Sequence, residues 1–348
     1  MMRSLLTLTL LTLAACDARP EPPLALDLWY GEAQRVGHLG AGQADYNLLG
    51  ETTARRLEYS LNGGAPVRLT VSHEPFGFRR LGGPGHFNAD IPLAQLKPGW
   101  NEVLLRSRHK DGSTLERRVA LERVAGRTPL PLQLDWATIE RPNDVGWCVD
   151  GLWTIADGQL QSAFPAYDRL FVIGDETWSD YEVRTSVTVD AVAAETGPFS
   201  GGNGLGVVFR FQGHIVGGPL KFPRAQPKWG YLPFGAITWL RWKKGAPEGA
   251  PTLQFYRGDR NELHDHGTFP WKMGTDFHLM AACRTEAPAA DGTPRTRYRF
   301  KVWPVGSPEP ASDGFDVVQE SKDALRTGGF ALVAHHVAVR FGNVTVSP

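Results

Sequence analysis

Arg210, Gln212 and His214 alternate with Val207, Phe209 and Phe211. In an extended chain, side chains two residues apart share a face, so three polar groups converge on one side of the ribbon. The same parity sets Trp239, Arg241 and Lys243 against Leu240 and Trp242, and Gln254 and Tyr256 against Leu253 and Phe255. Arg and Gln hydrogen-bond hydroxyls or carboxylates of a sugar, while a Trp or Tyr ring offers an apolar platform to a pyranose face. Between these strands lies Gln226 to Gly235, a loop in which Pro and Gly punctuate Trp229 and Tyr231, and loops of this kind carry recognition. The candidate ligand-binding set is therefore Arg210, Gln212, His214, Trp229, Tyr231, Trp239, Arg241 and Tyr256. The competing reading is a convex, solvent-facing sheet on which the same residues are merely hydrated.

Bond-breaking chemistry finds less support. Arg210, His214 and Tyr231 would suit a polysaccharide lyase, with the cation neutralising a uronate carboxylate while His or Tyr removes the C5 proton. Retaining glycoside hydrolysis needs two carboxylates about 5 Å apart; the nearest cluster, Glu176, Asp180 and Glu182, opens a regular strand and reads as solvated surface. The chain has no G-x-S-x-G, H-E-x-x-H or P-loop, and Gly201-Gly202-Asn203-Gly204-Leu205-Gly206 reads as a turn before a strand. His264-Asp265-His266 and His335-His336 lack a third ligand at a set spacing, and adjacent histidines on an extended segment point apart. No catalytic residue, metal or cofactor is assigned on these grounds, and the balance leans away from an enzyme.

The elements that must hold these residues are strands. Helical periodicity is missing, short alternating runs end at turn residues, and Gly 39 and Pro 26 are high in 348 residues, which indicates an all-β protein. Lys+Arg and Asp+Glu both count 37, so no net field recruits nucleic acid. The length suits two domains of roughly 100 and 200 residues.

Leu13-Ala14-Ala15-Cys16 follows a Leu- and Thr-rich run that begins after Arg3. It resembles the lipobox of bacterial lipoprotein precursors, which makes residues 1–16 a signal peptide. The resemblance implies a diacylglyceryl thioether on Cys16 and usually an added acyl chain, enough for lasting attachment to the lipid bilayer. The protein is thus expected in the bacterial cell envelope, lipid-anchored and either periplasmic or surface-facing. Asp17 leaves inner and outer membrane open. Residues 17–23 form a Pro-rich tether. In an oxidising compartment Cys148 and Cys283 are a candidate disulfide, with small buried hydrophobes as the alternative.

Residues 24–126 show seven strand-like segments: Ala25 to Tyr30, Tyr46 to Leu49, Leu57 to Leu61, Val67 to Val71, Phe87 to Ile91, Glu102 to Arg108 and Leu115 to Arg123. Asn62-Gly63-Gly64 and Asp111-Gly112 mark hairpins. Tyr59 to Gly64 and Pro98 to Val103 resemble bacterial Ig-like modules, which implies an Ig-like or fibronectin-like spacer domain. Residues 127–348 open with G-x-W-x-I-x-D-G-x-L at Gly151, carry W-x-D-Y-E-V at Trp178, and close with G-F-A-L at Gly329 and V-x-F-x-N-V-x-V toward Val346. This order resembles concanavalin A-like lectin/glucanase jelly rolls, including laminin-G-like domains. The resemblance implies a two-sheet sandwich whose concave face meets a glycan or polysaccharide; lyase or hydrolase activity, and pure adhesion or envelope assembly, stay open beside it.

Overall fold

The structure is a computed structural model that describes residues 23–41, 44–74, 79–109, 111–198, 200–213, 226–228, 232–260 and 262–348. Cys16 and residues 17–22 of the tether lie outside the described residues.

Eight strands between Leu26 and Arg123 form two sheets. Leu26–Leu28, Asp45–Thr52 and His86–Pro92 make a three-stranded sheet; Ala33–Val36, Thr114–Arg123, Gly99–Arg108, Arg56–Leu61 and Val67–Leu69 make the other, in that order. The two glycine turns form as expected: Asn62 at φ 51° and Gly63 at 74° join Arg56–Leu61 to Val67–Leu69, and Gly112 at 88° closes the next hairpin. The strand that sequence reading missed is Ala33–Val36. Four residues of mixed polarity carry no readable alternation, and this strand is held by parallel pairing with Thr114–Arg123.

From Leu132 onward the chain builds a larger sandwich. Its seven-stranded sheet runs Trp147–Asp150, Arg169–Ile173, Gly329–His335, Gly202–Phe211, Ala236–Lys243, Thr252–Arg257, Glu262–Thr268. A nine-stranded sheet packs against it, with Tyr181–Val192, Asp276–Glu286 and Arg295–Pro304 at its centre. Leu205, Val207, Leu240, Trp242, Phe255 and Leu332 from one sheet meet Val183, Val187, Leu279 and Phe300 from the other in a single core. The Gly201 to Gly206 run is strand from Gly202, not a turn. His264 to His266 also lie within a strand, Glu262–Thr268.

The face expected to be open is largely occupied. Val149, Leu170, Val172, Val208, Ile237, Ala331 and Val333, the outward residues of the seven-stranded sheet, belong to one apolar cluster with Leu48, Leu57, Phe87, Ile91 and Val103 of the first sandwich. Both faces of Asp45–Thr52 and His86–Pro92 are buried. Four sheets thus stack in the order five, three, seven, nine strands. The interface also holds a buried polar network: Arg80 Nε donates to Asp150 Oδ1 at 2.7 Å, Arg80 Nη1 to Asp90 Oδ1 at 3.1 Å, and Asn88 Nδ2 to the Val149 carbonyl at 2.9 Å and to Asp150 Oδ1 at 3.0 Å. The expected spacer is therefore corrected to a docked layer. Desolvated charges tolerate burial only when paired and hydrogen-bonded, as these are.

The candidate Cys148 and Cys283 bridge is not formed. Both thiols are free and buried; Cys148 lies on the seven-stranded sheet and Cys283 on the nine-stranded one. Burial raises the Cys283 thiol to about 11 and raises Cys148 further still. They behave as small core hydrophobes.

Candidate functional site

Strand alternation holds through Ala236–Lys243 and Thr252–Arg257. Leu240, Trp242, Leu253 and Phe255 enter the core between the sheets, which turns Trp239, Arg241, Gln254 and Tyr256 outward, where they line a cavity of about 160 Å³. Gly204 and Gly206 sit directly across the ladder from Arg241 and Trp239. A Cβ on Gly204 would come within 3.2 Å of the Trp239 ring, and one on Gly206 within 2.5 Å of Trp239 Cβ. Their missing side chains let Trp239 and Arg241 lie over the neighbouring strand, and the Arg241 guanidinium carbon stands 4.6 Å from the Trp239 ring centroid.

The rest of the cavity comes from one end of three adjacent strands. Tyr167 and Asp168 precede Arg169–Ile173, Ser200 and Gly201 precede Gly202–Phe211, and His335 ends Gly329–His335. Antiparallel pairing brings these ends together. His335 Nδ1 lies 2.6 Å from Asp168 Oδ1, and its Nε2 lies 2.7 Å from Ser200 Oγ. His335 Nδ1 also lies 3.3 Å from the Asp168 N–H nitrogen, and Ser200 Oγ donates to the Gly202 carbonyl at 2.6 Å and accepts from the Gly202 N–H at 3.2 Å, so the serine hydroxyl sits between two acceptors, Gly202 O and His335 Nε2. Burial lowers the His335 pKa below 6.5, against the opposing pull of Asp168, so the ring is neutral near pH 7. The Asp168 charge and burial both raise the Tyr167 phenol, whose ring sits edge-on to His335 at 4.7 Å.

Trp239 Nε1 and Gln254 Oε1 are buried without a hydrogen-bond partner among the described residues. Gln254 Nε2 donates to Asp265 Oδ1 at 2.7 Å. Unmet polar atoms at a cavity wall are ready to bind a polar ligand. Asp168 is the one carboxylate among the described lining residues, which gives no pair for glycoside hydrolysis.

Sequence parity misplaced the first candidate strand. A β-bulge between Phe209 and Phe211, with Arg210 at φ 50°, shifts the register, so Phe209 enters the core and Phe211 faces the first sandwich. Arg210 is fully buried. Its guanidinium donates to the Ser179 carbonyl at 2.9 Å, the Leu325 carbonyl at 2.7 Å and Thr296 Oγ1 at 2.9 Å, bridging the two sheets away from the cavity. Gln212 Nε2 donates to the Thr327 carbonyl at 3.3 Å and does not line the cavity. His214, Trp229 and Tyr231 lie outside the described residues. Of the candidate set, Trp239, Arg241 and Tyr256 come together; Arg210 and Gln212 do not join them.

Asp168 and Ser200 escaped sequence reading, which weighs His335 only as a metal ligand. The available signal was parity along Ala331, Val333 and His335, which puts the histidine on the outward face with Trp239. His336 does not point away as extended geometry demands: at φ 54° it holds its ring 4.7 Å from that of His335. Among the described residues no cluster of three or more His, Cys, Asp or Glu is placed to hold a metal.

A larger cleft of about 840 Å³ opens between the sandwiches, with Trp29, Tyr30, Trp100 and Trp153 on its walls. Several of its polar groups are engaged, Arg35 with Glu122, Arg141 with Asp144, and the Tyr30 hydroxyl between the Gly151 carbonyl and the Trp153 N–H, while His38 Nδ1 and Asn143 Oδ1 are buried without a partner among the described residues. The smaller cavity is the one in which Trp239, Arg241 and Tyr256 of the candidate set come together.

No family model matches the chain, and no curated protein matches it. Among solved structures it is similar to a galectin-like protein from Bacillus subtilis, at a TM-score of 0.36 and 11% identity over 58% of this chain and 86% of that one. It is similar also to the exoplasmic/lumenal domain of VIP36 in a Ca2+/Man3GlcNAc-bound form, at 0.37 and 11% over 62% and 89%. A third similar structure is a xylan beta-1,4-xylosidase from Bacillus halodurans C-125, at 0.38 and 12% over 89% and 64%. The chain is an all-β protein of sandwich sheets.

Proposed function

We propose that this chain is a lipid-anchored protein of a bacterial cell envelope that binds a glycan in the cavity formed by Trp239, Arg241, Gln254 and Tyr256. One observation carries the reading. Two aromatic side chains and two polar ones with hydrogen-bonding capacity share a small concave site on the outward face of the seven-stranded sheet. Ring platforms and directed polar groups are what sugar recognition uses. In this reading the C-terminal sandwich is a concanavalin A-like jelly roll and the first is an Ig-like module. The acyl chains on Cys16 hold the pair at a membrane.

An envelope-assembly role has less behind it. The large hydrophobics exposed among the described residues are Trp100, Phe164, Leu263, Val305 and Val318, spread over both sandwiches rather than gathered in a docking patch.

The test is a glycan array probed with the full chain in detergent micelles. Retention of at least one glycan is expected. Arg241→Ala and Tyr256→Ala should each weaken it about tenfold or more, the loss of one good polar or stacking contact, while Trp100→Ala in the larger cleft leaves it unchanged. A folded protein that retains no glycan overturns the reading.

A further inference from the structure

We infer that Ser200, His335 and Asp168 form a nucleophilic triad that removes short acyl groups from the hydroxyls of the bound carbohydrate. The inference rests on the glycan reading for its substrate class and on geometry of its own for the chemistry. Ser200 Oγ to His335 Nε2 is 2.7 Å and His335 Nδ1 to Asp168 Oδ1 is 2.6 Å. Both fall in the range at which a base activates a hydroxyl and a third group orients the base. The three residues come from separate strand ends and share one cavity wall. Asp168 Oδ2 is buried without a partner among the described residues, so its charge is directed at the imidazole. The Asp168 backbone is held at φ 44°, a left-handed conformation of the kind that clusters at functional sites. The neutral His335 described above is the form a general base requires.

The Ser200 hydroxyl, which donates to the Gly202 carbonyl at 2.6 Å, turns to His335 Nε2 at 2.7 Å, and Oγ attacks the ester carbonyl carbon as the proton passes to Nε2. The carbonyl π pair moves onto oxygen. An Arg241 guanidinium nitrogen lies 3.6 Å from where a Cβ on Gly201 would stand, which sets a positive charge beside the residue after the nucleophile. Collapse of the tetrahedral adduct breaks the bond to the sugar oxygen, and that oxygen takes the proton from Nε2. Water then attacks the acyl-serine, gives a proton to Nε2, and releases a carboxylic acid as the proton returns to Ser200. The balance needs only ester and water. A cavity of about 160 Å³ that also receives the sugar leaves room for an acetyl group and little for a longer acyl chain.

The test treats the full chain in detergent with a fluorophosphonate and reads intact mass and the labelled peptide, then measures acetate release from acetylated cellobiose. One adduct on Ser200 is expected, with acetate release reduced at least about 100-fold in Ser200→Ala and in His335→Gln. Acetyl esters should be cleaved well ahead of octanoyl esters. If Ser200→Ala fails to fold, labelling of the wild-type protein still decides, and Ser200→Cys should take iodoacetamide at that position. A folded wild-type protein with no adduct at Ser200 and no acetate release overturns the triad. A Ser200 adduct without glycan retention or sugar deacetylation keeps the nucleophile and sinks the glycan reading; retention without adduct or release does the reverse.

Discussion

Arg80 Nε meets Asp150 Oδ1 at 2.7 Å, with side-chain exposures of 3% and 0%, so an ion pair buried from water joins the first sandwich to the second. The same guanidinium reaches Asp90, and Asn88 reaches Asp150, so each charge has several partners. Removing one leaves the others desolvated and uncompensated.

Asp150→Ala is therefore expected to lower stability by about 3–5 kcal/mol. Urea unfolding followed by Trp fluorescence measures it. The coupling between Asp150→Ala and Arg80→Met should be about 0.5–3 kcal/mol in a double-mutant cycle. Additive effects would show that the pair does not join the two units.

Arg210→Ala is expected to act on folding. It strips the donors from the Ser179 and Leu325 carbonyls, each orphaned acceptor costing about 1–3 kcal/mol, and opens a void between the sheets. A drop in the urea midpoint with unaltered affinity in the surviving folded fraction is the expected result. Weakened glycan binding at full stability would return Arg210 to the site.

Two buried histidines give the protein a pH limit. Burial lowers His86 to about 4, with the Arg169 charge adding to it, and lowers His336 to about 2, both from 6.5 in the unfolded chain. Below pH 6.5 the unfolded chain takes up protons that the folded one refuses. Stability thus rises with pH across this window, is fully present above about 6.5, and is lost as pH falls, by at most about 1.4 kcal/mol per unit for each histidine. Melting temperatures between pH 7 and pH 5 measure the slope, and His336→Gln should flatten it.

The thiols offer a test of both core and anchor. Native protein should not react with a disulfide reagent at pH 8, because Cys148 and Cys283 are buried with raised pKa values. In denaturant two thiols should appear. A third would mean that Cys16 carries no thioether.

What the sequence disclosed was local. Alternation along Trp239 to Lys243 and Leu253 to Tyr256 gives the correct face for each side chain, because those strands run without interruption. At Arg210 the same rule fails, since one left-handed residue inserts a bulge that no pattern of polarity announces. Ser200, Asp168 and His335 were invisible as a group: 135 residues separate Ser200 from His335 and 167 separate Asp168 from it. Only strand pairing brings them together. The docking of the first sandwich was hidden for another reason. Asn47, Asn88, Asp90 and Asp150 look like ordinary surface polarity until Arg80 is placed among them.

The docked three-stranded sheet has a steric consequence for any polymer that approaches the cavity. A chain laid lengthwise across all seven strands would collide with the first sandwich, which covers much of their outward face. If the proposed glycan reading holds, a ligand meeting Trp239 and Tyr256 would arrive tip first, by a terminal unit or a side branch, and the protein would count chain ends rather than chain length.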